Sequence, residues 1–227
     1  MQFERREPIS INREPIKAKN SAQQKYMTAI QSAPLIIATG PAGVGKTYIC
    51  GSLACEALQN GDIDKIIITR PAIEAGASMG FLPGELEEKF APFLAPFRDV
   101  LNERLGKSFV DYLVKNGRVE AAPLAYMRGR TFKNAYVILD EAQNTTPTEM
   151  KMFLTRMGQN CKMIVNGDIS QKDIQGLSGL EDAIDHVSYI PTVALVKFSR
   201  ADVVRSGLCQ EIIESYENPP TPPFNRR

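Results

Sequence analysis

The sequence predicts an α/β fold, a three-layer sandwich of helices around a mainly parallel, five-stranded sheet. Three observations carry that expectation. Residues 35–39, 65–69, 136–139, 163–166 and 193–198 are short, almost wholly apolar runs rich in Ile and Val, each closed by Gly, Asp, Arg or Ser. Apolar runs of this length without polar alternation suit strands buried on both faces of a parallel sheet. Helix-forming stretches such as 46–59 lie between them, and strand–helix–strand alternation layers helices over the sheet through right-handed crossovers. Finally, 227 residues at 43% apolar and 23% charged can bury a sizeable core without disulfide or metal staples.

The elements follow in chain order. Residues 1–20 are densely charged and carry Pro8 and Pro15, which reads as an N-terminal arm or edge element. The main domain spans 21–216, with Ser21 as the expected cap of a helix through about Ile30. The spacing is uneven once: about 65 residues separate Arg70 from Tyr136. That interval predicts a helical insertion over about 76–118, broken by proline after Gly80, Ala91 and Ala95. Phe81, Phe90, Phe93 and Phe97 fall there at helical spacing, as a core stripe or as a strand-gripping or subunit-contact surface. Residues 217–227 (ENPPTPPFNRR) form a flexible Pro-rich tail.

Composition excludes several chemistries. Lys and Arg number 27 against 26 Asp and Glu, a formal charge of +1, so bulk electrostatics do not announce a nucleic-acid binder, although a local basic patch remains open. No apolar run approaches the length of a membrane span and no signal peptide is visible, which points to a cytoplasmic protein without a membrane partner. Four cysteines make no C-x-x-C pair and read as reduced, mostly buried thiols. His186 is the sole histidine, too few for a zinc site or a Ser-His-Asp triad.

Gly40, Pro41, Ala42, Gly43, Val44, Gly45, Lys46 and Thr47 match G-x-x-x-x-G-K-[ST] at every fixed position. The motif follows an apolar strand and opens a helix, the context that phosphate binding demands. Glycines let the backbone turn sharply and approach the phosphates. Successive N–H groups and the helix N-terminus then face the anion. Lys46 reaches the β- and γ-oxygens, and Thr47 offers its hydroxyl to Mg²⁺; Tyr48 completes the binding segment. The expected cofactors are ATP and Mg²⁺.

The run 136–139 ends in Asp140 and Glu141. A carboxylate at the carboxyl end of a buried strand sits where ligands of open α/β sheets bind, so Asp140 is the second metal residue. Glu141 is placed to orient or deprotonate water, which favours hydrolysis over mere binding. Asp168 and Gln171, after the next run, are either sensors of the γ-phosphate or turn-and-cap residues. Among Arg70, Arg128, Arg130, Arg200 and Arg205, any can act as an arginine finger, with Arg205 and Arg130 leading, although a lone arginine most often makes a surface ion pair. Gln23 and Gln24 lie upstream of the loop, to read an adenine edge or simply to face solvent.

In order, GPAGVGKT, ITRPAIEAG, GFLPGELEEKFAPFLAPF, YMRGRTF with VILDEAQN, NGDISQ and DVVRSGLCQEIIESYE resemble the motif set of PhoH proteins over about residues 20–216. The resemblance implies a RecA-like core related to the first domain of superfamily 1 helicases, with ATP binding and hydrolysis. It also implies links to phosphate starvation and RNA metabolism, and assembly into a ring such as a hexamer. Within that family pattern Gly43, Gly45, Lys46, Thr47, Asp140 and Glu141 are the nucleotide residues. Gln143, Asp168 and Gln171 surround the γ-phosphate, and Arg205 is the inter-subunit candidate. The stretch before the core is too short for the nuclease or RNA-binding domain of some relatives, so nuclease activity is not expected. A helicase that works by opening and closing two lobes would have to form the second from another copy, which is the reason to expect an oligomer.

Two functions follow. The first is an ATPase ring acting on single-stranded RNA; the second is a nucleotide-gated regulatory module with little turnover. Glu141 beside Asp140 favours the enzyme.

Overall fold

A computed structural model describes residues 14–71 and 86–204, together with Gly207, Ile212 and Ser215, and the side chains of 86–93 are outside that description. Helix α1 (Ser21–Ser32) is capped by Asn20, whose Oδ1 accepts the Gln23 N–H at 2.8 Å. The cap thus stands one residue before the expected Ser21, because the chain enters the helix through an extended Asn20. Strand β1 (Leu35–Thr39), helix α2 (Lys46–Asn60) and strand β2 (Lys65–Arg70) follow. Next come α3 (Leu86–Leu105), α4 (Lys107–Lys115), β3 (Val119–Pro123) and β4 (Ala135–Leu139). Helix α5 (Pro147–Leu154), β5 (Cys161–Gly167), α6 (Gly179–Val187) and β6 (Val193–Lys197) complete the domain.

The sheet has six strands in the order β3-β2-β4-β5-β1-β6, and all five pairings are parallel. The strand the sequence did not announce is β3. Its residues, VEAAP, include Glu120 and end in proline, a composition tolerated because the strand lies at the sheet edge and pairs only with β2. Side chains alternate between two cores. On one face Ile36, Ile66, Ile68 and Ile138 pack with Tyr26, Cys50, Phe97 and Leu101 under α1, α2 and α3. On the other, Ile37, Ile67, Val137 and Val165 pack with Met150, Phe153 and Leu180 under α5 and α6.

Helix α3 occupies part of the expected insertion and runs continuously across Pro92 and Pro96, where breaks were expected. Phe97 is fully buried and belongs to the core; Phe81, Phe90 and Phe93 lie outside the described side chains, as do residues 1–13 and the 217–227 tail. Cys50, Cys55 and Cys161 are buried free thiols. No helix among the described residues is long and apolar enough to cross a membrane.

Candidate functional site

Gly40 leaves β1 with φ near +140°, and a Cβ there would lie 2.6 Å from the Phe198 backbone oxygen. Gly43 and Gly45 also adopt positive φ, at +84° and +90°, so the loop can wind back toward α2 only with glycine at those positions. Val44, between them, is wholly buried and anchors the loop from below. The first N–H groups of α2, at Lys46 and Thr47, have no intrahelical partner and, with the loop amides, form the positive end of a helix. The Lys46 ammonium folds back onto the loop, donating to the carbonyls of Gly40 and Pro41, the latter at 2.9 Å. Burial pulls its pKa below the usual lysine range, against the opposing pull of the Asp168, Asp140 and Glu141 carboxylates.

The carboxyl ends of β1, β4 and β5 converge on a cavity of about 370 Å³, lined among others by Gly45, Lys46, Thr47, Asp140, Glu141 and Asp168. Strand order explains the convergence, because β5 stands between β1 and β4 and brings Asp168 between the loop and the paired acids. Asp140 is buried, and burial raises its pKa above the ordinary carboxylate value although the Arg70 guanidinium opposes this. Glu141 takes a left-handed backbone (φ +55°), which turns its half-exposed carboxylate into the cavity.

Arg70 is the residue the sequence undervalued. Its Nη2 donates to Asp140 Oδ2 at 2.7 Å and to Glu141 Oε1 at 3.3 Å, and it is the arginine among the described residues that line the cavity. The cause is register: β2 and β4 pair Thr69 with Leu139, so the next residue on each strand, Arg70 and Asp140, stand side by side. The signal in the sequence was an arginine closing an apolar run, but its partner depended on a sheet order that no local pattern reveals.

Gln143 ties the other side together. Its Nε2 donates to Glu141 Oε2 at 2.7 Å, and its Oε1 accepts the Asp168 N–H at 2.9 Å. Gln171 Nε2 donates to Asp168 Oδ2 at 2.8 Å, and Asp168 Oδ1 also accepts from the N–H and hydroxyl of Ser170. Asp168 therefore caps a turn and faces the cavity at once; the two readings of it are not exclusive.

Other expected residues fall elsewhere. Gln24 is exposed on α1 and is not among the cavity-lining residues, because the helix turns its buried face, with Gln23, toward the loop. Arg130 is not in the cavity either: it makes a forked ion pair with Glu120 of β3 and lies 5.2 Å above the Phe132 ring. Arg128 and Arg200 are exposed, and Arg205 lies outside the described residues. Tyr48 is 39% exposed and lines the cavity.

The PhoH-like protein family model matches residues 15–217. The chain belongs to the PhoH-like family. Protein PhoH of Escherichia coli is 54% identical over 206 residues, covering 89% of this chain and 58% of that protein. A PhoH-like protein of Bacillus subtilis is 50% identical over 204 residues, covering 89% and 64%. The chain thus spans about three fifths of the length of these curated relatives. Among solved structures, the large terminase of a thermophilic bacteriophage superposes with a TM-score of 0.52 at 13% identity, over 86% of this chain and 49% of that one; this likeness is one of fold. Family, fold and loop together make the chain a P-loop NTPase domain of RecA-like architecture.

The residues present also suit a hard divalent cation. Thr47 and Asp140 both line the cavity and supply oxygen donors, the donor type that Mg²⁺ prefers.

Proposed function

We propose that this domain binds ATP with Mg²⁺ and hydrolyses it, working as a homo-oligomeric ring with single-stranded RNA as its candidate substrate. The observation that carries the reading is one cavity flanked by Lys46 and Thr47 on one side and Asp140 and Glu141 on the other. Thr47 and Asp140 would hold the metal, which would neutralise phosphate charge. Lys46, released from the Gly40 and Pro41 carbonyls, would bind the β- and γ-oxygens. Glu141, oriented by Gln143, would take the proton of the attacking water. Gln171 and Asp168 would register the γ-phosphate, and Gln143 couples them to Glu141. Ring assembly and RNA rest on the family alone, since a charge of +1 supplies no general attraction for a polyanion.

A second reading, the nucleotide-gated module, draws on one observation: Arg70 and Gln143 already hold both Glu141 oxygens. Steady-state phosphate release separates the two readings. For the enzyme, Glu141→Gln should still bind nucleotide while losing turnover by about a hundredfold or more, the scale of a general base, and Lys46→Ala should lose both. Tight binding with no phosphate release from wild type, with or without RNA, would establish the module instead.

A further inference from the structure

The formal charge of +1 is spread unevenly over the chain. Residues 121–139 and 150–160 hold five cations and no Asp or Glu. The fold brings these two stretches together. Phe132 pairs with Met157 in a parallel bridge, and its N–H donates to the Arg156 carbonyl at 2.9 Å. The seam is close, since a Cβ on Gly158 would collide with the Phe132 carbonyl oxygen and come within 3.1 Å of Lys133 Cγ. Phe132 is buried between exposed Thr131 and Lys133, so the extended chain turns those two side chains outward, next to Arg156.

The charges on this face are not neutralised from within. Among the described residues Arg128, Lys133 and Arg156 enter no ion pair. The carboxylates nearest in sequence are committed elsewhere. Glu120 forks onto Arg130, Glu149 Oε2 accepts the Thr146 N–H and hydroxyl at the start of α5, and Asp140 is held by Arg70. Arg156 is fixed in place with its charge intact: Nε donates to the Met152 carbonyl and Nη2 to the Thr155 hydroxyl, both at 3.1 Å. At the head of the stripe Tyr126 is 57% exposed, two residues before exposed Arg128. A Cβ on Gly129 would meet nothing within 4 Å, so the space over this turn is open. Tyr126 lies on the short 3-10 turn Leu124–Met127, which begins directly after Pro123, the register partner of Arg70. The stripe therefore starts beside the nucleotide cavity.

We propose that Tyr126, Arg128, Lys133 and Arg156 form a binding surface for a single-stranded polynucleotide, with the cations on its phosphates and a base stacked on the Tyr126 ring. Cations without internal partners attract a polyanion locally where the chain as a whole does not. An aromatic side chain next to an arginine gives a base a face to stack on. The other exposed aromatic pair lacks this chemistry: Phe109 and Tyr112 stack on one another at 6.1 Å, and Asp111 between them pairs with Arg98. The inference rests on the RNA part of the reading above and gives it a place on the molecule.

The test uses the full chain and a short fluorescein-labelled oligoadenylate RNA, with anisotropy read across a range of KCl concentrations. Three phosphate contacts, at about 0.7 each for a single strand, give log Kd a slope of about 2 against log[KCl]. Arg128→Gln, Lys133→Gln and Arg156→Gln should each lower that slope by about 0.7, whereas Arg156→Lys should keep it. Tyr126→Ala should weaken binding about tenfold with the slope unchanged, and Tyr126→Phe should bind as wild type does. Lys107→Gln and Lys115→Gln, on α4, remove the same charge and should change neither quantity. Arg128 and Lys133 are exposed, so their variants should melt with the wild type. Equal slope loss in the α4 variants would mean diffuse attraction and overturn the surface. Wild-type binding by Tyr126→Ala, or displacement of the RNA by polyglutamate at equal charge concentration, would assign the face to an acidic protein and overturn the polynucleotide. RNA binding whose slope none of the three charge variants alters removes this surface alone. A wild type that does not bind the RNA even at low salt removes the RNA reading and the surface together.

Discussion

Asp140 shows how a single residue can be costly to the fold and useful to the site. It is buried against Arg70, and burial outweighs that cation, leaving its pKa raised. The sign of the pH effect follows from linkage. At pH well below the ordinary carboxylate value, Asp140 is protonated in both the folded and unfolded chain and contributes no penalty. As pH rises, the unfolded chain ionises first, so stability falls until the folded carboxyl has ionised as well. Asp140→Asn removes this penalty and leaves Arg70 its contact with Glu141. Thermal unfolding without nucleotide should show the variant more stable than wild type near neutral pH, with the difference closing as pH drops to the acid side of the carboxylate range. The same variant should lose the extra stabilisation that Mg²⁺ adds to nucleotide. A variant uniformly less stable at every pH would mean that the Arg70 bond, not burial, dominates Asp140.

Elements are joined beneath the loop by a chain of buried polar groups. The Tyr26 hydroxyl of α1 donates to Asn166 Oδ1 of β5 at 2.6 Å, and Asn166 Nδ2 donates to Cys50 Sγ of α2 at 3.4 Å. All three side chains are fully buried. Tyr26→Phe keeps the ring and its edge contact with Phe198 but strands the Asn166 oxygen, which costs about 1–3 kcal/mol. In a domain of this size that lowers the melting temperature by roughly 2–4 °C per kcal/mol. Cys50→Ala removes a weak sulfur acceptor from Asn166 and a weak donor to the Thr47 carbonyl, and should cost Asn166 less, apart from its own packing loss. A neutral Tyr26→Phe melt would show that the hydroxyl does not tie α1 to the sheet. At this scale the sequence was readable where the signal is local. The loop glycines, Lys46 and the run ending in Asp140 each declare themselves within a few residues. Strand β3 did not, because an edge strand tolerates Glu120 and Pro123 and shows no apolar run. Nor did Arg70, whose meaning comes from the neighbour that β4 places beside it, nor the choice of Gln23 over Gln24, which depends on the face α1 buries.

For the whole molecule, the question is what closes the open side of the cavity. One RecA-like lobe lines it from the carboxyl ends of β1, β4 and β5, and Arg70, the arginine among the described residues that line it, is held by two carboxylates. Arg130 is held by Glu120 at the sheet edge, away from the loop. Charge developing on a transferred phosphoryl group needs cations beyond Lys46 and a metal for fast turnover. A second copy docking over the open side would supply one, and the ring proposal therefore makes turnover depend on assembly. Phosphate release per protomer should rise with protein concentration and level off where sedimentation shows the 25.1 kDa chain fully assembled; addition of RNA or of nucleotide that favours assembly should move both transitions to lower concentration together. A rate per protomer that stays constant across the assembly transition would mean that the lone lobe completes its own site. Arg70, freed from Asp140 when the metal neutralises that carboxylate, would then be the cation to substitute next.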